Sequence, residues 1–301
     1  MSAAEERRGL IAALASAVIW GVFPFYYHAL AHVPALEVLA QRALWSFVFF
    51  GTWMAISGRL GDLWRALTGP GWWWILAASL AVSTNWLIYI IAIQTGHTID
   101  SSLGYYMLPL ASVALGIVIY GERPRRGQWL AIGLAALAVA LLATGLGAAP
   151  WISLALAMSF SLYGALKKGI SLDPVLSVTA EVALLAPLAL GYLLWPHAVP
   201  AGQTGHFGSD ALTTLMLVMT GPLTALPLIL FSYGSRRLAM ATTGLVMYIN
   251  PTMQLVIAVI AFGEPFTRWH ALAFVLIWLA LAIYAAEGWR RARRLAPAPR
   301  A

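Results

Sequence analysis

Stretches of apolar residues long enough to cross a bilayer recur from one end of this 301-residue chain to the other, separated by breaks of a few residues. A helix needs ~20 such residues to span the hydrocarbon core. This pattern constrains the fold more than any other feature. A water-facing surface needs charge, yet only 10% of the residues are charged and 61% are hydrophobic. Soluble domains carry ~25% charged residues, so soluble globular and disordered chains are both excluded. Transmembrane β-strands would read as alternating segments of ~10 residues, and none is seen.

The spans expected in the first half are 9–30, 36–56, 72–94, 101–120 and 128–144. Those in the second half are 151–167, 177–195, 211–233, 242–262 and 269–287. About ten spans with short loops leave no room for a second domain. Ser57-Gly58, Gly69-Pro70-Gly71 and Gly121-Glu122-Arg123-Pro124 supply ordinary turn chemistry between them. The polar stretch 196–210 reads as an exposed loop. Ala29-Leu30-Ala31 resembles a signal-peptidase site, but the run before it is too long for a signal peptide.

The formal charge is +7. With ten spans and the N-terminus inside, 16 of the 18 Lys and Arg residues fall in cytoplasmic segments, leaving Arg268 outside and Arg42 within a span. That asymmetry fixes the orientation, with both termini in the cytoplasm. The basic excess is therefore a topology signal and not a nucleic-acid surface. The arginines at 290, 291, 293 and 294 open a tail, 289–301, expected to be disordered and to touch anionic lipid headgroups. The chain has no cysteine, which excludes disulfides and thiolate chemistry. His97, His197 and His206 match no metal-ligand spacing, and phosphate-loop and hydrolase motifs are missing. No cofactor, no metal and no enzymatic activity are expected.

The two halves resemble each other. Tyr106, Pro109 and Gly121-Glu122 match Tyr248, Pro251 and Gly263-Glu264 at one offset of 142 residues. Trp20-Gly21 pairs with Tyr163-Gly164, and Ala40, Ala43 and Leu44 pair with Ala180, Ala183 and Leu184. Five spans per half is an odd number, so the second half enters the membrane from the opposite face. The expected fold is all-α, a polytopic membrane protein of ten transmembrane helices in two inverted five-helix repeats, 1–147 and 148–288. Halves of opposite orientation can exchange conformations and open a centre to each face in turn.

The stretch NWLIYIIAIQTGHTIDSSLGYYMLPL followed by GERPRRGQWLA, and LPLILFSYGSRRLAMATTGLVMYINPTMQLVIAVIAFGEPF in the second half, resemble the RarD-type branch of the EamA proteins. VIWGVFPFYYHAL and PALEVLAQRALWS fit the same family, and the similarity covers nearly the whole chain. EamA proteins belong to the drug/metabolite transporter superfamily. The resemblance implies ten helices, two repeats and a central pathway. RarD proteins are usually described as chloramphenicol-type drug permeases. The class carries over and the substrate does not.

Polar groups inside a membrane are expensive and are the first functional candidates. Arg42 and Glu181 are the clearest charges within spans, on repeat-related helices. Each faces a central cavity as a substrate or proton site, snorkels to an interface, or forms a structural pair with loop groups. Glu37 reads as interfacial. Asn85 lies near mid-span with Tyr89 on the same face. Tyr105, Tyr106 and Pro109 have counterparts at Tyr248 and Pro251, and Asn250-Pro251, Pro222 and Pro227 mark freed carbonyls. Trp20 and Tyr163 are paired aromatics, with Lys167 one turn after Tyr163. Such walls suit amphipathic or cationic ligands. Gly121-Glu122 and Gly263-Glu264 read as helix ends at which a carboxylate caps the next helix.

The expected substrate-binding set is Trp20, Arg42, Asn85, Tyr89, Tyr105, Tyr163, Glu181 and Tyr248. The expected function is secondary export of a small amphipathic metabolite or drug across the inner membrane. Protons are the candidate coupling ion, and lipids and a small-molecule substrate are the partners. A passive channel, a scaffold and a membrane-embedded enzyme on lipid-linked substrates are the alternatives. Small residues such as Ala131, Gly133 and Ala135 allow close helix packing within one chain or in a homodimer.

Overall fold

The computed structural model describes residues 3–295 apart from 122, 124–125, 147–149, 168, 196–204, 236 and 239. All regular structure among the described residues is helical. The first half contains α1 (Ala3–Gly21), α2 (Phe23–Ala29), α3 (Ala35–Ile56), α4 (Leu60–Thr68), α5 (Trp72–Gln94), α6 (Thr98–Tyr106), α7 (Leu108–Tyr120) and α8 (Arg126–Leu146). The second contains α9 (Trp151–Lys167), α10 (Pro174–Leu194), α11 (Ala211–Ser235), α12 (Met240–Met247), α13 (Ile249–Val256) and α14 (Arg268–Leu295), with a π-helical turn over Ile257–Ala261. Among the described residues, six helical segments are long and apolar enough to cross a membrane, and a seventh if α6 and α7 form one bent span. The molecule is thus an all-helical, polytopic membrane protein.

Proline chemistry explains the breaks. Pro109 sits in the first turn of α7, and the chain bends by 54° between α6 and α7. Proline lacks the N–H that would continue the ladder and crowds the residue before it. Pro251 has the same place in α13, which follows a break at Tyr248. Pro222 and Pro227 lie inside α11 without ending it. Hydroxyls nearby bond other backbone carbonyls of α11: Thr220 Oγ1 donates to Leu217 O at 2.5 Å, Thr224 Oγ1 to Thr220 O at 2.8 Å, and Ser16 Oγ of α1 to Pro227 O at 2.8 Å, the last tying α1 to α11.

α1 packs along α11, α5 along α9, α8 along α14, and α3 lies against both α10 and α11. Glycines permit the closest approaches. A Cβ on Gly234 would stand 2.8 Å from Gly9 O. On α8, one at Gly127 would strike Glu287, and one at Gly145 would strike Trp269. These contacts join opposite ends of α8 to opposite ends of α14, so the pair is antiparallel. Ala131 and Ala135 are buried in one cluster with Ala273, Ile277 and Ala280. These small residues pack within the chain.

Two features depart from the sequence reading. α4 was not expected. It buries Leu63, with Ala66 and Leu67, beneath Met54, Ile75 and Leu176, and exposes Leu60 and Trp64, as a helix lying at a membrane surface does. α14 runs through the arginine cluster to Leu295, where a structureless tail from residue 289 was expected. Helix propagation past the bilayer costs little once α14 is nucleated within it.

Candidate functional site

Arg42 projects from α3 into the middle of the bundle and is 4% exposed. Its Nε donates to Thr224 Oγ1 of α11 at 3.0 Å, and one terminal nitrogen donates to Tyr27 Oη of α2 at 2.8 Å. The guanidinium carbon lies 4.0 Å from the centre of the Trp86 ring and 5.9 Å from that of Tyr27, both within cation–π range. This is not a snorkelling arginine: three helices close around its head group.

Glu181 projects from α10 and is 2% exposed. Lys167 Nζ of α9 donates to Oε1 at 2.5 Å, Ser177 Oγ donates to the same oxygen at 3.1 Å, and Tyr163 Oη donates to Oε2 at 3.0 Å. Lys167 also bonds Ser177 Oγ. Both carboxylate oxygens are therefore engaged, and the charge has a counter-ion.

An unbroken row of aromatic rings joins the two charges. Tyr27 packs against Tyr89 with centroids 5.8 Å apart, Tyr89 against Tyr105 at 5.7 Å, Tyr105 against Phe160 at 6.3 Å, and Phe160 against Tyr163 at 5.6 Å. Asn85 braces the middle of the row. Its amide donates to Leu156 O at 3.0 Å and Ser159 Oγ at 3.1 Å, and its carbonyl accepts from Tyr105 Oη at 3.2 Å. The Tyr89 hydroxyl is buried and has no hydrogen-bond partner among the described residues, which is unusual for a polar group inside a protein. Trp20 is half-buried, 5.9 Å from Phe231, and packs on the cluster holding Tyr27 and Tyr89.

Seven of the eight expected residues thus belong to one assembly. Tyr248 does not. It stacks on Tyr106 at 5.7 Å in the cluster with Phe274 and Ile277, and no ring contact or hydrogen bond among the described residues ties it to Arg42. Sequence reasoning missed Tyr27, Trp86 and Thr224, the direct partners of Arg42. The adjacent Tyr26-Tyr27 and Asn85-Trp86 pairs inside apolar runs were the available signal.

Two other carboxylates tie distant segments together. Glu37, read as interfacial, is buried and accepts from the His206 backbone N–H at 2.8 Å, with His206 Nδ1 at 2.9 Å and the Phe207 N–H at 3.3 Å. It pins the segment before α11 to the first turn of α3. Glu264 caps a helix, though not the next one. Its carboxylate takes the N–H groups of Thr98 at 2.8 Å and Ile99 at 2.9 Å, at the start of α6 in the other half of the chain. Left-handed Gly263 (φ 66°) turns the chain so that Glu264 can reach it, and Gly121 (φ 61°) ends α7 in the same conformation. Glu122 lies outside the described residues. Glu264 also lines a cavity of ≈ 290 Å³ with His97, Asp100, Trp151 and His270. Among the described residues, no three His, Asp or Glu side chains are grouped to hold a metal ion.

At the α3–α4 corner, Arg59 bonds Asp173 at 2.5 Å and Asp62 at 3.2 Å, and Arg65 bonds Asp62 at 2.5 Å. Asp173 is the N-cap of α10 and accepts from Leu176 N–H. The hydrogen bonds from Arg59 and then Arg65 hold the Asp62 carboxyl below its usual range. For Asp173 partial burial pushes upward, but the Arg59 and Leu176 hydrogen bonds prevail and the net direction is down.

A row of four tyrosines and Phe160 thus runs from a buried cation to a buried carboxylate, and comparison with known proteins identifies the family. Residues 7–144 match the model of the EamA-like transporter family. An uncharacterized transporter of Pseudomonas aeruginosa is 40% identical, over 98% of this chain and 99% of that protein. The RarD protein of Escherichia coli K12 is 36% identical over 98% and 99%, and that of Streptomyces exfoliatus 38% over 96% and 92%. A solved crystal structure superposes with a TM-score of 0.56 over 97% of this chain and 99% of the other, at 18% identity, which speaks to the fold alone. The chain belongs to the EamA family, in its RarD-type branch, and is a bacterial multi-pass membrane transporter of a small molecule rather than an enzyme.

Proposed function

We propose that this chain is a secondary transporter of the inner membrane that exports a small amphipathic solute by alternating access. The solute passes through the centre between Arg42 and Glu181. In this reading ten helices cross the bilayer as two inverted five-helix repeats, 1–147 and 148–288, with both termini in the cytoplasm. α1–α2 counts as one span, as does bent α6–α7, and so does α12–α13 with the π-helical turn.

The observation that carries the reading is the aromatic row ending in two buried charges, since such groups are retained inside a membrane where they meet substrate or ions. The helix pairing supports the repeat. α1 against α11 and α9 against α5 are counterpart contacts under the 142–143-residue offset. Ser16 bonds Pro227 O across the first, and Ser159 accepts from Asn85 across the second. Residues 16 and 159 are 143 apart, and 85 and 227 are 142 apart. Glu264, reaching from one half to cap α6 in the other, is suited to close one face of the pathway. Glu181, held by a lysine, a serine and a tyrosine, is the candidate proton carrier.

The absence of cysteine makes the test direct. Single cysteines at Ser159 and Ser177 are labelled with a membrane-impermeant thiol reagent added to either face of sealed vesicles. Alternating access expects each site to be reached from both faces, at rates that shift in opposite directions when substrate is added. Labelling from one face only, under every condition, refutes it.

A further inference from the structure

Arg42 differs from every other buried ion in the centre. A guanidinium has five N–H donors, and the described residues accept from two groups of it, through Thr224 and Tyr27. No carboxylate among the described residues stands within ion-pair distance of it. Glu181 is taken by Lys167, and Glu37, five positions earlier on α3, is taken by His206 and Phe207. Cation–π contact with Trp86 offsets part of the desolvation. It does not neutralise the charge, and a buried unpaired ion is costly. A second, independent observation lies beside it. The Tyr89 hydroxyl, on a ring packed against Tyr27, is more than nine-tenths buried and has no hydrogen-bond partner among the described residues. Tyr27 Oη accepts from Arg42, which leaves its proton free to be donated. The arrangement is a set of donors with a net positive charge and no anion beside it among the described residues.

Resting on the transport reading above, we infer that the transported solute carries an anionic group, a carboxylate on an apolar body, which Arg42 binds as its missing counter-ion. The guanidinium fork matches a carboxylate bidentately. Tyr89 and Tyr27 hydroxyls donate to it, and the Trp86, Tyr105 and Phe160 rings face the apolar body. The selectivity is opposite to the cationic preference that an aromatic-walled centre suggests by itself. Lys167 does not add to it, because Glu181 cancels its charge.

The test places a thiol against the guanidinium with Thr224→Cys, in a chain that has no other thiol. Its labelling by an anionic (sulfonatoethyl) and a cationic (trimethylammonioethyl) methanethiosulfonate is compared after normalising each rate to a free thiol. We expect the anionic reagent to win by about tenfold, the preference to vanish with Arg42→Gln, and to persist with Arg42→Lys. N-acetylphenylalanine should slow labelling at concentrations at which phenylalaninamide and N-acetylphenylalaninamide do not. Leu223→Cys, half-buried on the same helix, gives the same measurement if Thr224→Cys does not fold. Equal or faster cationic labelling, or equal protection by phenylalaninamide, overturns the anion while leaving transport through the centre standing. Failure of both reagents from both faces overturns the two together.

Discussion

Arg42 and Glu181 occupy facing helices, α3 and α10, and both are nearly inaccessible, yet their charges are managed in opposite ways. Glu181 has a cation, a phenol and a hydroxyl on its two oxygens. Arg42 has a hydroxyl, a phenol and two ring faces, and no anion among the described residues. A neutralised group can be stable with nothing bound, and changes state only when a proton arrives or leaves. A cation without a counter-ion is satisfied best when a ligand supplies one. Under the proposed transport reading, the difference divides the labour of one centre: Arg42 selects the solute, and Glu181 holds α9 to α10 and is the candidate proton carrier.

The strongest way to break this division is to remove each charge and measure flux in proteoliposomes. Arg42→Gln should lower uptake by about 100-fold or more, because a desolvated charge contact to ligand is worth several kcal/mol. Arg42→Lys should recover part of it. Glu181→Gln should keep solute exchange and lose only the uptake driven by a pH gradient. If Glu181→Gln abolishes exchange as fully as Arg42→Gln, the two residues are not separated in function.

Stability should rank them the other way. Breaking a buried ion pair costs ~3–5 kcal/mol when the survivor cannot reach water. Lys167 retains 26% of its side-chain surface, so Glu181→Ala should cost about 2 kcal/mol. Arg42→Met removes an ion that has no counter-charge among the described residues, and should leave the unfolding temperature unchanged or raise it. Scans of detergent-solubilised protein at one heating rate decide this, and a larger loss for Arg42→Met would contradict the assignment of Arg42 to ligand binding. Asn85→Ala should cost about 1–2 kcal/mol, since Leu156 O, Ser159 and Tyr105 lose a partner together. Ser159→Ala should cost less, and the double variant little more than Asn85→Ala alone.

Much of this was legible beforehand, for a physical reason. Where lipid is the solvent, hydrophobic runs mark helices, and α5 and α9 begin and end at the residues expected, 72–94 and 151–167. The rarity of intramembrane charge pointed to Arg42 and Glu181 directly. What the sequence could not convey was pairing across long separations. Arg42 meets Thr224 at 182 positions' distance, and Glu264 meets Thr98 at 166. Periodicity reports which face is apolar and not which helix covers it, so the Tyr26-Tyr27 and Asn85-Trp86 pairs did not reveal that Arg42 was their partner, and Thr224 gave no signal at all. Tyr248 was drawn in by its repeat counterpart Tyr106, and the two do meet, by stacking on each other away from the Arg42 group. The nine-residue α4 was hidden because it lies along a surface, where a short amphipathic run between Gly58 and Gly69 reads as a loop.

The smallest effect concerns the ion pairs outside the spans, and it sharpens the contrast with the buried pair. Asp62 and Asp173 are each held below the usual carboxylate range by arginine hydrogen bonds. A carboxyl whose folded value is depressed contributes stability above its unfolded value, near 3.9, and loses it as pH falls through the folded value. The loss is therefore confined to pH below about 4, and between pH 5 and 8 these pairs should leave the unfolding temperature flat. Both partners of the Arg59–Asp173 pair keep over a third of their side-chain surface in solvent, so salt should weaken what remains. Asp173→Asn keeps an N-cap acceptor and removes the charge. It should shrink the acid-labile part and its salt dependence without altering the response at neutral pH. If instead Asp173→Asn destabilised the protein as much as Glu181→Ala at pH 7, burial would not be what separates a structural ion pair from a surface one in this molecule, and the ranking of Arg42 above both would lose its basis.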